Sequence, residues 1–178
     1  MPNWCSNSLE IMHDDASKLE EFIEAYNQGK LGNHFRPQPR WHSEPLSESD
    51  CKKYRYSESC IGELPVVRTI AELEGTVMLE FDGKQDLRWR DWRLENWGVK
   101  WDFGRDSGHD NDDAEYFTKD GGKIVYVRFD TPWGPPDKWL EHMETLGFRF
   151  ILDWREEGGE EGEIMSGNWS TEERSHTA

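Results

Sequence analysis

Trp89-Arg90-Asp91-Trp92-Arg93-Leu94-Glu95-Asn96-Trp97-Gly98-Val99-Lys100-Trp101-Asp102 holds four of the ten tryptophans of this 178-residue chain. Each large ring removes about 150–250 Å² from water when it packs, so a segment this aromatic demands a core. The reading is a structural aromatic cluster in which Trp89, Trp92, Trp97 and Trp101 plug the end of a sheet against Trp133 and Trp139. Arg90, Arg93 and Lys100 then sit on the rim, stems over the rings and charges in water. The functional counterpart is a platform for stacked bases or for a cation. Gly98 suits a helix stop or a turn, and nothing in the segment is a catalytic signature.

Upstream, Trp4 to Met12 alternates as a half-buried strand, with Cys5, Asn7, Leu9 and Ile11 on one side. Ser17 and Glu20 form a capping box that opens a helix. Leu19, Phe22, Ile23 and Tyr26 make its core-facing stripe, and Gly29 ends it. From about 31 to 66 the prolines multiply and no periodicity persists, which reads as an irregular insertion. It is also a basic island, with Arg36, Arg40, Lys52 and Lys53 as a candidate basic patch. A strand over Thr76 to Phe81 follows, closed by Asp82-Gly83, then a short helix from about Asp86 into the tryptophan segment.

Downstream, Asp120-Gly121 joins two strand-like arms, Ala114 to Thr118 and Lys123 to Thr131, as a hairpin. Trp133-Gly134-Pro135-Pro136 breaks the second arm and opens a helix whose stripe is Trp139, Leu140, Met143 and Leu146, stopped by Gly147. Phe148, Phe150, Leu152 and Trp154 give a strand with one aromatic face. After Gly158-Gly159, Glu163 to Trp169 returns as an edge strand. The order implies an α+β protein: a ferredoxin-like antiparallel sheet with two helices on one face, plus a long insertion after the first helix and an extra C-terminal strand. One domain is expected over 1–170, with a flexible tail over 171–178.

Thirty-seven acidic against twenty-one basic residues leave a net charge of −16, a field that repels nucleic acid and anionic membranes. No export signal and no apolar run of about 18 residues is present, so a soluble, cytoplasmic protein is expected. Cys5, Cys51 and Cys60 cannot all pair, and reduced thiols are expected.

Three motifs carry a resemblance. Met1-Pro2-Asn3-Trp4-Cys5-Ser6-Asn7, Asn96-Trp97-Gly98-Val99-Lys100-Trp101-Asp102 and Phe129-Asp130-Thr131-Pro132-Trp133-Gly134-Pro135-Pro136 are similar to those of the YubB-like proteins. These are phage- and plasmid-borne chains with a ferredoxin-like domain and no established biochemical function. The resemblance covers the amino terminus and roughly residues 89–155. It implies the fold and a mobile-element origin, and it supplies no catalytic residue. Gly134 stands where the family pattern has a serine, which removes any hydroxyl role there.

No catalytic residue, metal site or cofactor is assigned from the sequence. His13, beside Asp14 and Asp15, is the best-placed acid–base candidate, and a surface turn is the bland account of it. Asp110, Asp112 and Asp113, between Asp106 and Glu115, lack the glycine and glutamate positions of a calcium loop. Cys51 and Cys60 lack the close spacing of a zinc site. Glu156, Glu157, Glu160 and Glu161 concentrate negative charge in one turn, for solubility or for a basic partner. The functional expectation is an acidic, non-enzymatic interaction protein of a phage or plasmid that binds a host protein, through a basic and itself nucleic-acid-binding surface of that host. The alternatives are a nucleic-acid-binding module using the basic 30–56 stretch and a small enzyme with an unrecognised site.

Overall fold

The computed structural model describes residues 2–70, 76–107, 116–167 and 169. They divide into two compact units, one formed by Met1–Pro37 with Arg93–Ala178 and the other by Gln38–Trp92.

The first unit is built on a five-stranded antiparallel sheet. Its strands are β1 (Trp4–Met12), β5 (Tyr116–Lys119), β6 (Ile124–Pro132), β7 (Arg149–Glu156) and β8 (Glu161–Met165), in the order β5-β6-β1-β7-β8. β1 is central, with Leu9 opposite Val127 on one side and Leu152 on the other. Helix α1 (Ala16–Asn27) follows β1, the five-residue α2 (Leu31–Phe35) comes next, and α5 (Asp137–Thr145) joins β6 to β7. α1 and α5 meet through Phe22 and Trp139, whose rings lie 6.5 Å apart. Phe103 stacks on Phe129 of β6 at 5.2 Å and meets Trp139 edge-on at 5.1 Å. Leu9, Ile11, Val125, Val127, Phe129, Phe150 and Leu152 are buried beneath this layer. The opposite face, carrying Ser6, Ser8, Arg128 and Asp153, is the polar one, as alternation along each strand dictates.

Local chemistry differs from the sequence expectation in four places. Asp15, not Ser17, caps α1, its carboxylate accepting from the Ser17 N–H at 2.9 Å; an Asx side chain two residues earlier already satisfies that first-turn amide. Leu146 leaves the α5 stripe and is 42% exposed, because the helix ends at Thr145 and Gly147 at φ +89° turns the chain away. The last strand runs Glu161–Met165 rather than from Glu163, because the Glu156 N–H bonds the Glu160 carbonyl at 2.7 Å and closes the turn early. The expected irregular stretch over 31–66 carries α2 and, in the second unit, α3 (Glu48–Tyr54) with two short 3-10 turns.

The second unit also contains β2 (Val66–Ile70), β3 (Thr76–Phe81) and β4 (Lys84–Gln85), an antiparallel sheet of its own in the order β2-β3-β4. Thr76–Phe81 is thus a strand as expected, but not of the main sheet. The core of this unit is Leu46, Cys51, Tyr56 and Phe81, joined by a buried ion pair. Arg88, 5% exposed, meets the fully buried Asp86 at 2.9 Å. Its guanidinium also donates to the Glu44 and Pro45 carbonyls and lies over the rings of Phe81 and Trp41. α4 (Arg88–Asn96) spans the residue at which the units are divided. Among the described residues, no helix is long and apolar enough to cross a membrane.

Candidate functional site

The three motifs converge in the first unit. β1 and β6 pair so that Trp4 faces Pro132, Cys5 faces Thr131 and Asn7 faces Phe129. The buried Asn7 amide donates to the Cys5 carbonyl at 2.9 Å, the Phe129 carbonyl at 3.2 Å and the Thr131 hydroxyl at 2.8 Å. Thr131 in turn donates to the Gly134 carbonyl at 2.6 Å. Cys5 is fully buried beside this network, and burial, with Glu156 adding to it, pushes its thiol up to about 12. A thiol so placed is a packed group and not a nucleophile. All three cysteines are free.

The middle motif clamps α2. Trp97 donates from its indole to the Arg36 carbonyl at 2.9 Å, Trp139 to the Leu31 carbonyl at 3.0 Å, and the His142 ring lies 3.0 Å from the Phe35 carbonyl. Asp102 accepts from the Gly32, Asn33 and Phe103 amides. Burial raises the Asp102 carboxyl above its ordinary value, against the lowering effect of those amides. These residues are structural, and Trp97 and Trp139 fill the core as expected.

The rest of the aromatic cluster does not plug a sheet end. Trp101 is 37% and Trp133 57% exposed. Gly98 at φ +84° turns the chain out of α4, so Trp101 emerges beside Trp4, ring centroids 5.8 Å apart, with the Lys100 ammonium 4.5 Å over its ring. Trp133 lies just past the end of β6, its N–H bound to the Asn3 carbonyl at 2.8 Å. Trp89 and Trp92 are half-buried in the Gln38–Trp92 unit. The sequence shows four rings close together, but not which lie before and which after a chain reversal.

Carboxylates border this surface. Glu157 accepts from the Trp4 N–H at 3.0 Å through its side chain and donates its own N–H to the Trp4 carbonyl at 3.0 Å. Glu161 pairs with Arg155 at 2.6 Å. Glu156 and Glu160 stand in the same turn. Along the polar face a groove of about 650 Å³ runs between Ser6, Ser8, Asp153, Arg155, Glu161 and Glu163. Its lining comes from three adjacent strands, β1, β7 and β8. Asp110, Asp112 and Asp113 lie outside the described residues.

The remaining candidates are engaged internally. His13 accepts the Asp15 N–H on Nδ1 at 2.9 Å, and its Nε2 lies 3.1 Å from the Leu146 carbonyl, which can only accept. The proton therefore sits on Nε2, which ties the β1–α1 turn to the end of α5, while Nδ1 holds the turn itself. The adjoining cleft of about 360 Å³ contains Asp14, Lys123 and Arg149, with Arg149 paired to Asp14 at 2.8 Å. In the basic stretch, Arg36 donates to the Asn96 carbonyl at 2.9 Å, Lys52 pairs with Glu48 at 2.6 Å and Lys53 with Asp91 at 2.9 Å. Arg40 stays exposed. No group of three or more His, Cys, Asp and Glu side chains among the described residues is arranged to hold a metal ion.

No family model matches the sequence, and no curated protein matches it. Among solved structures it is similar to the protein api92 from Yersinia pseudotuberculosis, of family model DUF1281, at 10% identity and a TM-score of 0.42, over 96% of this chain and 99% of that one.

Proposed function

We propose that this chain is an acidic interaction protein that binds a basic segment of a partner protein across the polar face and the β7–β8 end of its main sheet. The observation that carries the reading is the groove of about 650 Å³ lined by Asp153, Arg155, Glu161 and Glu163, with Glu156 and Glu160 at the adjoining β7–β8 turn. Lysine and arginine side chains meet carboxylates there, while phosphates meet repulsion. The net charge of −16 steers such a partner toward the chain. The strand order β5-β6-β1-β7, with α1 after the central strand and α5 between β6 and β7, supports a ferredoxin-like plan for this unit. With the resemblance to the YubB-like proteins, that makes the partner a protein of the host cell in which a phage- or plasmid-borne chain acts, in the cytoplasm.

The test is stopped-flow association with a peptide of alternating arginine and glycine at low and physiological salt. Glu156→Gln with Glu160→Gln leaves the bonded Glu157 and Glu161 untouched, and it is expected to slow association several-fold at low salt and flatten its salt dependence. Association indifferent to both salt and variant would remove the acidic surface from the function. Duplex DNA is expected to bind no better than about 10⁻⁴ M at physiological salt. Salt-sensitive micromolar binding, lost on changing Arg40 and Lys52, would favour the nucleic-acid reading instead.

A further inference from the structure

Trp133 combines two properties that rarely coincide. Its φ is +70°, a region where a bulky residue is a genuine outlier, and its side chain is 57% exposed. The backbone cost is therefore not offset by burying the ring. It is imposed from beneath: Asn7, 2% exposed, and Thr131, fully buried, form the bonded pair that fixes the Gly134 carbonyl. The Asn3 carbonyl holds the Trp133 N–H from the other side. A buried polar network thus displays a tryptophan in a strained conformation, and strain of this kind collects where a surface has work to do. One residue along the chain, the place a Gly134 Cβ would take lies 3.6 Å from the Glu156 carboxylate. An exposed aromatic ring and a carboxylate brought to one end of the sheet are the two groups that seat a cation. Lys100 over Trp101, at 4.5 Å, is the same chemistry satisfied within the chain.

We infer that Trp133 is the anchor of the interaction surface and takes one cationic side chain of the partner, arginine or lysine, with Glu156 as the counter-charge. The inference rests on the acidic-surface reading and adds the residue that gives it local specificity. A rigid, exposed tryptophan is the residue type that most often dominates an interface.

The test pairs the arginine–glycine peptide with a citrulline–glycine peptide of the same shape and no charge, followed by fluorescence anisotropy. Trp133→Gly suits the positive φ, so its melting temperature is expected to equal or exceed that of the parent. Its affinity for the arginine peptide is expected to fall about tenfold, while the citrulline peptide binds parent and variant equally weakly. Unchanged affinity in Trp133→Gly would overturn the anchor and leave the acidic surface standing. A lowered melting temperature would make the ring a structural group and overturn the anchor as well. Failure of the parent to bind the arginine peptide at all would remove both readings.

Discussion

The indole N–H of Trp97 donates to the main-chain carbonyl of Arg36 at 2.9 Å, and the Arg36 guanidinium returns a bond to the Asn96 carbonyl at 2.9 Å. Arg36 is thus tied to two successive residues of the Asn96–Trp97 segment around a fully buried ring. Trp97→Ala removes the ring and strands the carbonyl, and is expected to destabilise the fold by about 3–5 kcal/mol. Trp101→Ala, at an exposed ring, should cost less than about 1 kcal/mol. Urea titration of the two variants side by side checks both figures, and equal losses would contradict the division between core and surface rings.

Gly98 has φ +84°, and a Cβ there would collide with the Asp137 carboxylate and approach the Asp137 N at 3.2 Å. Gly98→Ala is therefore expected to lose about 2–4 kcal/mol, from the backbone region and from the clash together. Adding Asp137→Gly in the same chain should recover the part due to the carboxylate, which a double-mutant cycle reads directly.

Arg88 is the buried charge of the Gln38–Trp92 unit. Its removal leaves the buried Asp86 carboxyl without its partner and two carbonyls without donors, so Arg88→Ala should cost about 3–5 kcal/mol. Arg88→Ala with Asp86→Ala together should cost less than Arg88→Ala alone, because no unpartnered carboxyl remains. Thermal denaturation followed by tyrosine fluorescence would separate the two outcomes.

Asp91 couples this unit to pH. Burial acts to raise its carboxyl, but bonds from Lys53, Tyr54 and Arg90 prevail and hold it below the ordinary carboxylate value. A carboxyl lowered in the folded state adds stability that is complete above the unfolded value and is lost as pH falls through the folded one. Asp91→Asn should therefore lose about 1–3 kcal/mol at pH 7 and show a shallower loss of stability as pH falls below the ordinary carboxylate range. Burial, with the bond to Asp91, pushes the Tyr54 phenol up to about 12, a contribution lost as pH rises through that value. In Asp91→Asn the phenol should titrate lower, visible as an earlier rise in phenolate absorbance.

Much of the first unit was legible because its elements are long enough to carry a period. β1, α1, β6 and β7 each show a stripe or an alternation over eight residues or more, and those stripes are the buried faces. The second unit was not legible for the converse reason. Its core residues Leu46, Cys51, Tyr56 and Phe81 come from a loop, a seven-residue helix, a turn and a strand, and no window holds enough of them to show a pattern. The candidate surface was half legible. The glutamates announce themselves by density, but the exposure of Trp101 and Trp133 depends on the positive φ at Gly98 and at Trp133 itself. Only the glycine gave warning.

The central position of β1 has a consequence for how the chain is made. The central strand of the main sheet is translated more than one hundred residues ahead of its two neighbours, Ile124–Pro132 and Arg149–Glu156. Gln38–Trp92 is continuous in sequence and can close its own core while the remainder is still being translated. Leu9 and Ile11 have no such opportunity, and until β6 is made they are apolar side chains awaiting partners more than one hundred residues downstream. The main sheet is therefore expected to gain its protection against amide exchange only once β6 and β7 have been made, later than the contiguous unit, and β1 is the strand most in need of a chaperone until then.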